Sequence, residues 1–148
     1  MKSRLFAAFV ALFWLAGATM AQDEQAAIFK NVSGNVKVFR GKTETAATPG
    51  MLLMQSDVIT SGPDSSGGIV FKDGTRLVLG ASSTIEISQY LFRPKDAKYA
   101  FSLYLKKGTA LYSSGKIAKL APESINLNTP RAAVGVRGTR FIVKEEGE

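Results

Sequence analysis

Six carboxylates are the side chains in this sequence that could carry out acid–base chemistry. They are Asp57, Asp64, Asp73, Glu86, Asp96 and Glu123. A suitably spaced pair of carboxylates would suit glycoside hydrolysis. The 148-residue chain has no histidine and no cysteine, which excludes Ser-His and Cys-His nucleophilic catalysis and the common zinc sites. Each carboxylate lies beside a loop, in a turn or at a solvent-facing position, so we expect no enzymatic activity, no metal and no cofactor.

The segment at residues 128–143 (NTPRAAVGVRGTRFIV) is the most unusual in the chain. Its Gly-Val-Arg-Gly stretch lacks both common glycine-rich phosphate-binding patterns. The apolar alternation changes parity within the segment, and an extra residue in a bulge at Gly138 would account for this. We expect Arg137 to bind backbone carbonyls there, whereas a ligand role and a structural role stay equally open for Arg131 and Arg140. The candidate structural or partner-binding residues are Thr129, Pro130, Arg131, Gly135, Arg137, Gly138, Thr139 and Arg140.

The elements that position these residues are predicted to be β-strands. After residue 30, apolar and polar residues alternate with a period of two, and glycine turns recur about every ten residues. This pattern predicts an all-β fold of many short antiparallel strands, either a solenoid or roll or a two-sheet sandwich. Asp73-Gly74 predicts a two-residue type I′ turn that pairs Lys72 with Thr75 and Val70 with Leu77.

Several further elements follow from the same alternation. The first strand is predicted at residues 31–40, and short strands at 117–120 and 125–127. Tyr99, Phe101, Leu103 and Leu105 should share one face of a longer strand, which a turn at residues 106–108 should end.

The N-terminus has the pattern of a cleavable secretory signal. Lys2 and Arg4 precede an uncharged apolar run, and small residues fit cleavage after Ala18 or, preferably, after Ala21. The alternative is an uncleaved anchor, but the 17 uncharged residues at 5–21 fall short of the roughly 20 that a membrane span needs. We therefore expect a signal peptide at 1–21, a flexible segment at 22–30, the domain at 31–143 and a tail at 144–148.

The charge and aromatic content leave two classes of partner open. Removal of Lys2 and Arg4 leaves 17 basic and 12 acidic residues, a net charge of +5. No basic run exceeds two residues, so we expect no nucleic-acid partner. A glycan or acidic polymer is the alternative to a protein partner, because aromatic rings could stack on sugars. Those rings belong to Tyr90, Phe92, Tyr99, Tyr104 and Tyr112, although a place in the core and at its rim is the favoured expectation for them.

The C-terminal segment resembles the hallmark of the FecR domain family, in which Thr-Pro and a small-residue run precede Val-Arg-Gly-Thr and a β-run. Upstream, Pro49-Gly50 with Leu52, Asp57 with Ile59 and Thr60, and the hairpin around Asp73 are similar to the family pattern in the same order. The resemblance covers roughly residues 31–143. The family usually has glycine where this chain has Ser56. If that glycine serves a turn with positive φ, Ser56 would adopt the same conformation at some cost, which leaves the turn type open.

The resemblance implies a role outside the cytoplasm. FecR-like regulators of iron uptake carry this domain in the periplasm and join it through a membrane helix to a part that controls a sigma factor. Only three or four residues precede the apolar run here, so we expect the external module alone. The expected function is an exported, non-enzymatic protein-interaction or signalling module in the cell envelope, free of the membrane after signal cleavage. A structural or carbohydrate-contacting envelope domain is the alternative.

Overall fold

The structure, a computed structural model, describes residues 25–136 and 139–147 of the chain. Within them the polypeptide forms twelve strands, one short α-helix and two 3₁₀ turns at Pro94–Asp96 and Pro122–Ser124. The strands are β1 (Gln25–Ser33), β2 (Val36–Arg40), β3 (Thr43–Ala46), β4 (Leu52–Met54), β5 (Val58–Ser61), β6 (Ser66–Phe71), β7 (Arg76–Leu79), β8 (Thr84–Arg93), β9 (Lys98–Ser113), β10 (Ile125–Asn128), β11 (Ala133–Gly135) and β12 (Arg140–Glu145), and the helix is α1 (Lys116–Leu120).

The strands form a continuous sheet that curls into a half-barrel, which confirms the all-β prediction. A first layer has the order β4-β1-β6-β7-β9-β12, and a second layer has the order β3-β2-β5-β8-β9-β10-β11. All neighbours are antiparallel except β9 and β10, which run parallel. The long strand β9 belongs to both layers and therefore joins them.

The alternating strands of both layers point their apolar residues into one core. Fully buried members include Phe29, Leu53, Ile59, Ile69, Phe71, Leu77, Leu79, Ile85, Ile87, Phe101, Leu103 and Leu105. The predicted face of β9 is confirmed, because Phe101, Leu103 and Leu105 are buried and Tyr99 packs against the core. Each buried aliphatic or aromatic side chain contributes about 1.5–3 kcal/mol to folding.

The predicted turn at residues 106–108 is wrong, because β9 continues through it with an irregularity. Gly108 has φ +97°, and the buried residues change from the odd positions Phe101–Leu105 to Ala110 and Tyr112. The Thr109 N–H donates to Ser83 Oγ at 2.9 Å, so Ser83 fills the space that a side chain at Gly108 would need. The extra residue bends β9 from one layer into the other.

Four further sequence predictions need correction. Residues 31–40 form two strands, since Gly34 with φ +76° turns the chain between β1 and β2. Residues 25–30 are not flexible, because Ala26, Ala27 and Phe29 in β1 are buried. Residues 144–145 are not a tail, because β12 extends to Glu145, which pairs with Gly108. Residues 117–120 form α1 rather than a strand, because Asp73 binds the first N–H groups of this turn. The strand predicted at 125–127 is confirmed as β10.

The hairpin between β6 and β7 has a longer loop than the predicted two residues. The Phe71 N–H donates to the Thr75 carbonyl and the Gly74 N–H to the Phe71 carbonyl, both at 2.9 Å. Residues 72–74 therefore form the loop, and Val70 pairs with Arg76 rather than Leu77. Only Gly74, with φ +87°, is left-handed. Asp73 keeps a negative φ because its carboxylate accepts the Thr75 N–H two residues on, as in an Asx turn.

Candidate functional site

Thr129, Pro130 and Arg131 form the turn between β10 and β11. The Thr129 N–H donates to the Ala132 carbonyl at 2.8 Å, and Thr129 Oγ1 accepts the N–H groups of Arg131 at 3.3 Å and Ala132 at 3.1 Å. Pro130 is exposed and, having no N–H, leaves no donor unpaired. The Thr-Pro pair therefore closes a tight turn and presents the next residue, Arg131, to solvent.

Arg131 lies at a cleft of about 390 Å³ that combines distant parts of the chain. Its Nε is 3.4 Å from Oε1 of Glu145, which is buried at the end of β12. Lys106 and Lys107 also line the cleft, as do Pro130, Glu146 and Gly147. The three cations could bind a carboxylate from another molecule, but part of their charge is already offset by the two glutamates. Arg131 thus has a structural partner on the surface of the domain.

The other candidate residues of the C-terminal segment are spread over two strands. Gly135 lies on β11 opposite Asn126, and a Cβ there would meet no atom within 4 Å. The carbonyl of Thr139 accepts the Ser114 N–H at 2.8 Å, and Arg140 is exposed opposite Ser113. β11 pairs with β10, and β12 pairs with β9. The change in apolar alternation seen in the sequence therefore falls between two strands that pair with different neighbours. Arg137, Gly138 and the bulge proposed there lie outside the described residues.

The outward face of the first layer carries a group of aliphatic side chains that we call the outer patch. It consists of Val70, Val78, Leu111 and Ile142. Val78 pairs with Leu111 across β7 and β9, and Leu111 pairs with Ile142 across β9 and β12. Val78 is 43% and Ile142 is 67% exposed, which is unusual for aliphatic residues aligned in one row across neighbouring strands.

A depression and two arginines border the outer patch. Gly68, which has no side chain, lies opposite Val78. A shallow cleft of about 350 Å³ lies there and is lined also by Lys30 and Asn31. Arg76 and Arg140 are both opposite Ser113, in the row next to the aliphatic one. The exposed Arg140 is therefore at the rim of an apolar surface.

Asp73 is the centre of a buried polar network and is 1% exposed. Its carboxylate accepts hydrogen bonds from the Thr75 hydroxyl (2.7 Å), the Tyr90 hydroxyl (3.0 Å) and the Ile117 N–H (3.2 Å). Burial and the adjacent Asp73 carboxylate raise the pKa of Tyr90 well above its usual value of about 10. The network ties the β6–β7 turn to β8 and α1.

Of the other five candidate carboxylates, one forms a buried ion pair and four are exposed or half-buried. Asp57 is fully buried and makes a two-pronged ion pair with Arg40, with Nε–Oδ1 and Nη2–Oδ2 distances of 2.9 and 2.8 Å. Its Oδ2 also accepts the Met54 N–H. This pairing fixes the turn in which Ser56 has φ +73°, as expected for a position that is usually glycine. Asp64, Asp96 and Glu123 are exposed, and Glu86 is half-buried on β8. Within residues 25–136 and 139–147, no three acidic residues cluster to hold a metal.

The aromatic residues give little support to a sugar-binding surface. Tyr90 and Tyr112 are buried, and Tyr112 stacks on Phe141 with ring centroids 4.8 Å apart. Phe92 and Tyr99 contact each other and pack against the core. Tyr104 is half-buried. The expectation that these rings fill the core and its rim is confirmed for four of the five.

A comparison with protein families gives a match to FecR protein over residues 57–148. The chain belongs to the FecR family. Neither curated proteins nor solved structures give a significant match. FecR proteins are envelope-associated and regulatory, with a role in signalling. No helix in the described part of this FecR chain is long and apolar enough to cross a bilayer.

The FecR match includes the whole outer patch and the Thr129–Arg140 region, but it begins inside the folded domain. β1 to β4 precede residue 57, and β1 and β4 belong to the first layer whereas β2 and β3 belong to the second. The sequence analysis identified Arg140 but missed Val78, Leu111 and Ile142. Their signal was present in the sequence, because an aliphatic residue also occupies the solvent-facing positions of β7, β9 and β12, where a half-exposed strand normally carries a polar residue.

Proposed function

We propose that this chain is an exported, non-enzymatic FecR module that binds another protein of the cell envelope through the outer patch. The observation that carries the proposal is the aliphatic row Val78–Leu111–Ile142 on a solvent-facing sheet. Solvated faces of antiparallel sheets normally carry polar residues, and contiguous exposed apolar surface is typical of protein interaction sites. Family membership supports a signalling role for such contacts.

Export by a signal peptide cleaved after Ala21 is part of this proposal. Cleavage there would leave Gln22 as the first residue, three residues before β1 begins at Gln25. It would therefore spare Ala26, Ala27 and Phe29, which the core requires. Fractionation of cells that express the chain, followed by N-terminal sequencing, tests this. A periplasmic product starting at Gln22 agrees with the proposal, whereas an uncut product in the membrane or cytoplasm contradicts it.

The binding surface is tested by site-specific photo-crosslinking in intact cells. A photoreactive phenylalanine analogue replaces Val78 or Ile142, and Thr45, an exposed residue of β3 at an edge of the other layer, serves as the control. We expect a discrete adduct that contains a second protein from positions 78 and 142 and none from position 45. Identical adducts from all three positions, or adducts that contain only glycan, would rule out the proposed surface.

A further inference from the structure

Strand β12 is an edge of the first layer that is protected against pairing by charge rather than by proline or short length. In the described part of the chain it pairs only with β9. It has six residues and no proline, whereas the other edge strands, β3, β4 and β11, have four, three and three. Its central residue, Ile142, is the most exposed of the large apolar side chains described. Natural edge strands are usually short, bulged or otherwise blunted, and a long regular edge accepts an added strand.

The charges on β12 favour one kind of added strand. Arg140, Ile142 and Lys144 are all exposed and share the outward face, on which the outer patch lies. Arg140 forms no ion pair with a described residue, and Lys144 has only a 3.4 Å contact with the exposed Glu146. Such exposed pairs are weak, so both cations can engage an incoming carboxylate.

The same charges disfavour a second copy of this chain as the partner. In an antiparallel pair of two β12 strands centred on Ile142, Arg140 of each copy would lie opposite Lys144 of the other. Like charges directly opposite each other destabilise a strand pair, and opposite charges stabilise it. A partner with acidic residues at these two positions would turn both repulsions into attractions.

We propose that β12 binds an extended segment of the envelope partner by antiparallel strand addition, and that this segment has the pattern acidic-x-aliphatic-x-acidic. The aliphatic residue lies opposite Ile142 and extends the row Val78–Leu111–Ile142 by one strand. The two acidic residues lie opposite Arg140 and Lys144. The inference rests on the proposed function and specifies the chemistry of the partner.

The test uses two synthetic nonapeptides and NMR titration of the isotope-labelled full chain. Both peptides have valine at the centre. One has glutamate two residues to either side of the valine, the other has lysine at these two positions, and threonine fills the remaining positions of both. We expect the glutamate peptide to shift the backbone amides of β12 and β9 and to bind about tenfold more tightly than the lysine peptide. The amides of β3 should not move.

A charge-swap variant separates specific pairing from general attraction to a basic protein. Arg140→Glu/Lys144→Glu should reverse the preference, so that the lysine peptide binds more tightly. Lys42→Glu/Lys95→Glu changes the net charge equally at exposed positions outside β12 and should leave the preference unchanged.

Equal binding of both peptides, an unchanged preference after the swap, or shifts confined to other strands would overturn strand addition. So would dimerisation of the chain, or docking of its own residues 1–24, through β12. If the peptides do not add to β12 but position 78 still crosslinks to a second protein, the proposed function stands and strand addition alone is overturned.

Discussion

Replacement of Asp73 by asparagine is the perturbation that tests the buried network most sharply. Asparagine has nearly the same shape, so packing is preserved while one acceptor oxygen becomes a donor NH₂ group. Oδ1 accepts the Thr75 N–H and the Tyr90 hydroxyl, and Oδ2 accepts the Thr75 hydroxyl and the Ile117 N–H. The hydroxyls can rotate, but the backbone N–H groups cannot. Whichever way the amide is oriented, one buried N–H loses its acceptor and faces another donor.

The structure allows the cost to be estimated. A buried donor left unpaired costs about 1–3 kcal/mol, and hydrogen bonds to a charged acceptor are worth more than neutral ones. We therefore expect Asp73→Asn to lower the free energy of unfolding by about 3 kcal/mol. For a domain of this size that corresponds to a fall in Tm of roughly 10 °C.

The assay is urea unfolding followed by circular dichroism. The single tryptophan, Trp14, lies within the expected signal peptide and cannot report on the domain. Asp64→Asn is the matched control, since Asp64 is exposed with φ +56°, a conformation that asparagine also tolerates. The control should change stability by less than about 0.5 kcal/mol. A loss below about 1 kcal/mol for Asp73→Asn, or equal losses for both variants, would refute the role given to Asp73.

Two further predictions concern β9. Gly108→Ala should lower the free energy of unfolding by about 3 kcal/mol or more, because Gly108 has φ +97° and the new Cβ would collide with Ser83. Gly41→Ala is the control and should cost only about 1 kcal/mol, since Gly41 has φ +60° and open space around it. Equal losses of the two variants in thermal melts would contradict this. Burial, partly offset by Thr75 and reinforced by Asp73, raises the pKa of Tyr112 from 10.0 to about 12. The neutral hydroxyl therefore contributes stability that is fully present below pH 10 and is lost, by about 2 kcal/mol, as the pH rises toward 12. Tyr112→Phe should make this alkaline decline shallower, and the part due to Tyr90 should remain. The variant should not lose stability at pH 7, since the hydroxyl has no hydrogen-bond partner of normal geometry among the described residues. An equally steep decline in the variant would count against the assignment.

Alternation in the sequence was sufficient to predict the fold class and much of the core. The buried face of β9 follows from local pattern, and the positive φ at Ser56 follows from the resemblance to the family; the structure agrees with both. Local pattern failed where distant groups decide the conformation. Ile117 and its neighbours have the composition of a strand. The Asp73 carboxylate accepts the Ile117 N–H, and the Asp73 main-chain carbonyl accepts the Lys116 N–H, which together hold the segment in a helical turn. Lys106-Lys107-Gly108 has the composition of a turn, but Ser83, from the turn before β8, holds it as a bulge.

The candidate site was only partly predictable for a related reason. Thr129 to Arg131 and Arg140 stand out in the sequence because they belong to the unusual C-terminal segment that resembles the family hallmark. Val78, Leu111 and Ile142 look like ordinary core residues, and only the pairing of β7, β9 and β12 aligns them on the solvent face. A surface assembled from three separated segments needs the strand register before it can be recognised.

Photo-crosslinking from position 142 in intact cells tests the central claim most directly. That claim is that this FecR chain binds an envelope protein through the outer patch and β12. We predict one discrete protein adduct from position 142, shared with position 78 and absent from position 45. No protein adduct from position 142, or the same adducts from position 45, would contradict the claim.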